Sequence, residues 1–113
     1  MKKEIIKHLT KDFESCVNHT KTGIEFWFAR DLQHLLNYTE WRNFLLVISK
    51  ARTSCETAGH PISDHFVDVN KMVTIGSGTE REIQDFMLTR FACYLIAQNG
   101  DPRKESIAFA QNY

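Results

Sequence analysis

Residues 65–100 read HFVDVNKMVTIGSGTEREIQDFMLTRFACYLIAQNG, and this stretch decides the fold. Its first part alternates apolar and polar residues, which is the period of a β-strand with one covered face. Residues 76–78 provide the positive-φ positions of a turn, so a returning strand within residues 82–88 completes a β-hairpin. Thr89 is placed to cap a helix that is apolar on nearly all sides up to Asn99, and such a helix belongs in the core.

Upstream of the hairpin, the sequence predicts two helices joined by a short turn. An aromatic-rich strand over residues 25–28 leads into the first helix, from about Ala29 to Leu36. Thr39 is placed to cap the second helix, which should end at Gly59. Its inward stripe comprises Trp41, Phe44, Leu45, Ile48, Ala51 and Cys55. Two helices so closely joined predict a helix-turn-helix arrangement.

Both ends of the chain predict further helices. An amphipathic N-terminal helix should stop before Gly23, and Pro102 opens a last helix whose pattern still runs at Tyr113. The unfinished pattern suggests the N-terminal part of a longer protein. We therefore predict one α+β domain over residues 1–113, with a helix-turn-helix core, a β-hairpin wing and flanking helices.

The amino-acid composition limits the functions that we expect of this chain. Lysine plus arginine and aspartate plus glutamate each total 14 in 113 residues, so the net charge is zero and polyanion binding requires a local patch. One core of this size leaves little room for a walled-off substrate cavity. Three widely spaced cysteines, Cys16, Cys55 and Cys93, indicate a reduced, cytoplasmic protein. The apolar stretch 91–97 is far shorter than the roughly 20 residues that span a bilayer, so we expect no membrane association.

The sequence gives little support for a catalytic or metal-binding site. Cys55, His60 and His65 are the nearest grouping, but they lack the paired ligand spacing of a zinc site and a third group to orient a catalytic histidine. The turn at residues 76–78 lacks the spacing of a phosphate-binding loop. We predict no enzyme activity, no metal and no cofactor, and we interpret Cys55 and Cys93 as packed thiols.

Basic side chains on the second helix are more informative. At 100° per residue, one face opposite the apolar stripe carries Arg42, Leu46, Ser49, Lys50 and Thr53. A presented helix of this kind can reach base edges and phosphates, and a hairpin wing can touch the backbone. The predicted nucleic-acid contacts are Arg42, Asn43, Lys50, Lys71 and Arg81. A solvated face is the simpler interpretation, and Leu46 favours a protein contact instead.

Two segments carry a resemblance to known proteins. FWFARDL at 26–32, LNY at 36–38 and Trp41-x-x-Phe44 look like the opening of the Bro-N domain, found at the N-termini of viral and phage antirepressor-like proteins. RFACYLIAQNGDPRK at 90–104 resembles the bacterial DNA-damage-inducible protein D family. The resemblance covers nearly the whole chain from about residue 10.

This resemblance implies a DNA-binding regulatory module of the bacterial SOS response, in a family associated with restraining recombinase-driven strand exchange. The implied partners are DNA, a recombinase filament and the C-terminal half of a longer protein. The alternative is a protein-interaction module that docks on a recombinase or on its own C-terminal half. A zero net charge and Leu46 favour that alternative.

Overall fold

A computed structural model describes residues 11–101 and residue 103. Helices and a four-stranded antiparallel sheet form an α+β fold, as predicted, with strand order β1-β2-β4-β3. The strands are β1 Asn18–His19, β2 Glu25–Phe28, β3 Phe66–Thr74 and β4 Glu80–Leu88. The helices are α1 Ala29–Leu35, α2 Trp41–Thr57, a 3₁₀ turn at Ile62–Asp64 and α3 Arg90–Gln98.

The hairpin is the longest pairing in the sheet and confirms the alternating pattern. Phe66 pairs with Leu88 at its base and Thr74 with Glu80 at its tip. Gly78 lies in the turn with φ +81°, where a side chain would be strained. The returning strand begins two residues before the predicted range, because the pairing continues up to the turn.

The core lies between the inner face of the sheet and helices α2 and α3. Its largest fully buried side chains include Trp27 on β2, Phe86 and Leu88 on β4, Phe44 on α2 and Ile96 on α3. These residues come from β2, β4, α2 and α3, so the hairpin and the helices are stabilised together.

The predicted stripe on α2 is mostly buried. Phe44, Ile48, Ala51 and Cys55 are in the core. Trp41 and Leu45, at the N-terminal half of the stripe, are only half-buried. This end of α2 therefore borders solvent, where the hairpin passes beside it.

The start of α2 differs from the sequence prediction. Glu40, not Thr39, is the N-cap residue, and the helix begins one residue later than predicted, at Trp41. Asn37 adopts φ +62° just after α1, a conformation that asparagine tolerates better than most residues. Residues 36–40 thus connect two successive helices. The helix-turn-helix assignment stays a prediction, because the connection alone does not establish that arrangement.

Of the two helices predicted at the ends of the chain, only the end of the N-terminal one lies within the described residues. Residues 11–15 are helical and the chain turns at Cys16, which agrees with a helix that ends before Gly23. The beginning of that helix and the last helix, which opens at Pro102, lie outside the described residues. Thr89 caps α3 as predicted, since its Oγ1 accepts a hydrogen bond from the Ala92 amide at 3.2 Å. Within the described part of the chain, no helix is both long and apolar enough to cross a membrane.

Candidate nucleic-acid interface

One face of α2 is open to solvent from end to end. The predicted contacts Arg42, Asn43 and Lys50 are all exposed on it. Leu46 lies among them and is 62% exposed. This exposed α2 face, which also includes Ser49 and Thr53, combines two cations, an amide and one apolar side chain.

Glu40 engages the first two of these contacts. Its Oε2 accepts hydrogen bonds at 3.4 Å from both Arg42 Nη2 and Asn43 Nδ2. The side chains of Arg42 and Glu40 are 85% and 57% exposed, and such exposed pairs contribute about 0–1 kcal/mol. A phosphate could therefore replace Glu40 as the partner of Arg42 at little cost.

The two wing residues lie in different surroundings. Arg81 is exposed near the hairpin tip, opposite Val73. Lys71 is half-buried, with Nζ 2.8 Å from Asp85 Oδ2 and 3.4 Å from the centroid of the Phe28 ring. The Lys71 ammonium thus has a structural partner that the sequence did not reveal.

Asp85 is a fully buried carboxylate on β4 that links the hairpin to α1. Its Oδ1 accepts hydrogen bonds from the amides of Arg30 at 3.1 Å and Phe86 at 2.8 Å. Because Phe28 is the N-cap residue of α1 and has no polar side chain, Asp85 performs the capping role from a distant strand. Among the described residues, Oδ2 of Asp85 has no hydrogen-bond partner besides the ion pair with Lys71.

Two further arginines flank an aromatic pair between α2 and the hairpin. The guanidinium carbon of Arg30 lies 3.8 Å from the Trp41 ring centroid, and that of Arg52 lies 5.9 Å from the Phe86 centroid. Trp41 and Phe86 are themselves stacked at 6.2 Å. We call these four residues the arginine–aromatic cluster. Neither arginine is among the contacts predicted from the sequence, although Arg52 follows Trp41 by about three helical turns and so shares its face.

Arg90 forms a different kind of cluster. Its guanidinium donates hydrogen bonds to the carboxylates of Glu14 and Glu25 and lies 4.9 Å from the centroid of the Trp27 ring. These hydrogen bonds lower the pKa of both carboxyls and raise the pKa of Arg90. Arg90 therefore joins α3, β2 and residues 11–15, and both its carboxylate partners are satisfied.

The Cys55, His60 and His65 grouping does come together, as a packed cluster. The imidazoles of His60 and His65 lie 4.7 and 4.9 Å from the centroid of the Phe91 ring. His65 Nδ1 is 2.7 Å from Thr89 Oγ1, and Cys55 Sγ donates to the His60 carbonyl at 3.6 Å. Burial raises the pKa of the Cys55 thiol, which keeps the sulfur neutral and unreactive. Over residues 11–101 and 103, no group of three or more His, Cys, Asp or Glu is arranged to hold a metal ion.

Comparisons with known proteins agree with the resemblance noted in the sequence. Residues 16–113 match the BRO family, N-terminal domain (Bro-N). The chain is 46% identical over 101 residues to DNA damage-inducible protein D of Escherichia coli (strain K12). That match covers 89% of this chain and 37% of the relative, so the chain corresponds to little more than a third of that protein. No solved structure matches the chain.

Proposed function

Because the chain belongs to the Bro-N family, matched over residues 16–113, we propose that it is a DNA-binding regulatory domain of a bacterial DNA-damage response protein. The observation that carries the proposal is this family match together with the name of the relative, DNA damage-inducible protein D. The proposed domain is cytoplasmic and non-enzymatic. For the longer protein that contains the matched region, we also propose participation in the SOS response and restraint of recombinase-driven strand exchange.

The exposed α2 face is the proposed primary contact. Arg42 and Lys50 bind backbone phosphates, and Asn43 hydrogen-bonds to a base edge or a phosphate oxygen. Arg81 on the wing adds a further phosphate contact. Lys71 stays in the proposed set, but its contribution is small because Asp85 already neutralises it.

Removing the two cations of this face tests the proposal. Arg42→Ala with Lys50→Ala should weaken duplex binding by about tenfold or more and reduce the salt dependence by roughly two units, one for each phosphate contact. Lys11→Ala with Lys21→Ala is the matched control, because both lysines are exposed and the charge change is equal. Fluorescence anisotropy with a labelled duplex measures both effects. Equal losses in the two double variants would show that only overall charge matters and would contradict the proposed contacts.

A protein-interaction module is the second candidate function. The 62% exposure of Leu46 within the same face favours it, since covering an exposed apolar side chain with a partner is favourable. The partner is then a recombinase filament or the C-terminal half of the longer protein. Leu46→Ser should abolish such docking while leaving DNA affinity within about twofold, because the substitution changes no charge. Co-sedimentation with a recombinase filament distinguishes the two functions.

A further inference from the structure

Cationic side chains over aromatic rings fall into two classes in this protein. Among the described residues, Arg30, Arg52, Lys71 and Arg90 lie over rings. Lys71 is neutralised by Asp85, and Arg90 is neutralised by Glu14 and Glu25. These two are structural cations, each held by acidic partners.

Arg30 and Arg52 lack such partners. Within residues 11–101 and 103, no carboxylate oxygen lies within 4.0 Å of either guanidinium. Asp68 pairs with Phe86 across the hairpin and is exposed, yet it forms an ion pair with neither arginine. Arg30 Nε donates a hydrogen bond to the Gln84 carbonyl at 2.9 Å, which fixes the orientation of its guanidinium. Of the four described cations that lie over rings, the two without an acidic partner are therefore the two that flank the stacked Trp41–Phe86 pair.

Stacking on that pair prepares these arginines for an anion. A guanidinium that lies on a ring can still donate from its edge N–H groups, and its planar fork matches two oxygens of a phosphate. In Arg30 the Nη groups stay available, since Nε donates to the Gln84 carbonyl. Because the Trp41 ring and the Gln84 carbonyl already restrict the Arg30 rotamers, less entropy of that side chain is lost when a ligand binds. Both arginines are half-exposed, so a ligand can reach them from solvent. Two uncompensated charges on one aromatic pair also attract a polyanion.

We propose that the arginine–aromatic cluster is a second phosphate-binding site, where Arg30 and Arg52 grip the backbone of a nucleic-acid strand that passes between α2 and the hairpin. This inference rests on the proposed DNA-binding function and assigns it two contacts on a different side of α2 from Arg42 and Lys50. The strand is held by phosphate recognition, since the Trp41 face is already covered by Arg30. Recognition there is independent of base sequence.

Single substitutions of the two arginines test the site. Arg52→Gln is the variant with the smaller expected effect on folding. Within the described part of the chain, the Arg52 side chain makes neither an ion pair nor a hydrogen bond. This substitution should weaken binding of a short single-stranded or duplex oligonucleotide roughly fivefold and lower the salt dependence by about one unit. Arg52→Lys should retain the salt dependence but lose part of the affinity, since an ammonium is not a planar fork. Arg103→Gln, at an exposed arginine paired with Asp101, is the matched control.

Tryptophan fluorescence gives a local readout. Of the two tryptophans, Trp27 is fully buried and Trp41 lies in the proposed site. Oligonucleotide binding should change the emission, and Trp41→Phe should remove that change while Trp27 still reports that the protein is folded. Arg30→Gln should also reduce the change at equal ligand saturation.

The results of these measurements distinguish a failure of the second phosphate-binding site from a failure of the proposed DNA-binding function. Binding that Arg42→Ala with Lys50→Ala weakens, but that neither Arg30→Gln nor Arg52→Gln alters, would overturn the second site and leave the proposed function intact. A wild-type chain that binds neither oligonucleotide at low salt would overturn both. Thermal melting of each variant confirms that it is folded before binding is measured.

Discussion

At the scale of single residues, the ion pair between the buried Asp85 and the half-buried Lys71 is an interaction that the sequence does not reveal. Asp85 is fully buried and Lys71 is 32% exposed along its side chain, so the carboxylate depends on the ammonium for its charge compensation. Lys71→Met should lower the free energy of unfolding by about 3 kcal/mol, because it leaves a buried charge without a partner. Urea denaturation measures this loss.

A second substitution checks the cause of that loss. Asp85→Asn in the Lys71→Met background removes the orphaned charge and keeps an Oδ1 that accepts from the Arg30 and Phe86 amides. Stability should then recover in part. A loss below about 0.5 kcal/mol for Lys71→Met would be typical of an ordinary surface residue and would contradict the buried ion pair.

The three thiols should differ sharply in reactivity. Burial raises the pKa of Cys16, Cys55 and Cys93, and the last two are shielded from reagents by the core. In the folded protein a thiol reagent should therefore modify Cys16 first, and Cys55 and Cys93 only after unfolding. Labelling followed by mass spectrometry at increasing urea concentration gives the order. Fast native labelling of Cys93 would mean that α3 is not in the core.

At the scale of elements, Arg90 connects α3 to β2 and to residues 11–15. The pKa values of Glu14 and Glu25 lie below their ordinary value of 4.5 because Arg90 donates hydrogen bonds to the charged forms. A lowered pKa in the folded state contributes stability above the unfolded value, and that stability is lost as the pH falls through the lowered pKa.

The expected result is acid sensitivity below about pH 4.5 that depends on Arg90. Arg90→Met should lower the melting temperature at pH 7 and flatten its dependence on pH in the acid range. Glu14→Gln with Glu25→Gln should flatten the same dependence while Arg90 is retained. Melting curves from pH 2 to 7, followed by circular dichroism, test this; an unchanged acid slope in both variants would show that other carboxylates control it.

The local patterns in the sequence predicted the elements well. Alternation over residues 65–75, glycines in the turn and a Thr89 cap are all short-range features, and the hairpin and α3 follow them. The cap of α1 could not be predicted, because the Arg30 amide bonds to Asp85, 55 positions away in the chain. The prediction of Thr39 as the cap of α2 was wrong, because the helix begins at Trp41 and Glu40 occupies the N-cap position.

For the candidate site, the prediction is confirmed only in the exposure of its helix residues, and the contacts with nucleic acid stay a prediction. Helical periodicity placed Arg42, Asn43 and Lys50 correctly on an exposed face. It could not show that Lys71 pairs with Asp85, since that contact depends on the register between β3 and β4. Arg30 and Arg52 were missed because their importance comes from a tertiary contact between Trp41 and Phe86.

At the scale of the whole molecule, a net charge of zero means that DNA binding must arise from local groups. The exposed α2 face and the arginine–aromatic cluster together present four cations that are free of strong acidic partners, and Arg81 on the wing is a fifth. Binding should therefore be weak, largely independent of base sequence and moderate in its response to salt.

The salt dependence of duplex binding by the wild-type chain shows whether this domain binds DNA through its local cations. With about four or five phosphates neutralised, the slope of log affinity against log salt concentration should be about −4. Anisotropy titrations over a range of salt concentrations, with two duplexes of unrelated sequence, should give the same slope for both. A slope near zero, or no binding to either duplex at low salt, would contradict the assignment of this Bro-N domain as a DNA-binding domain.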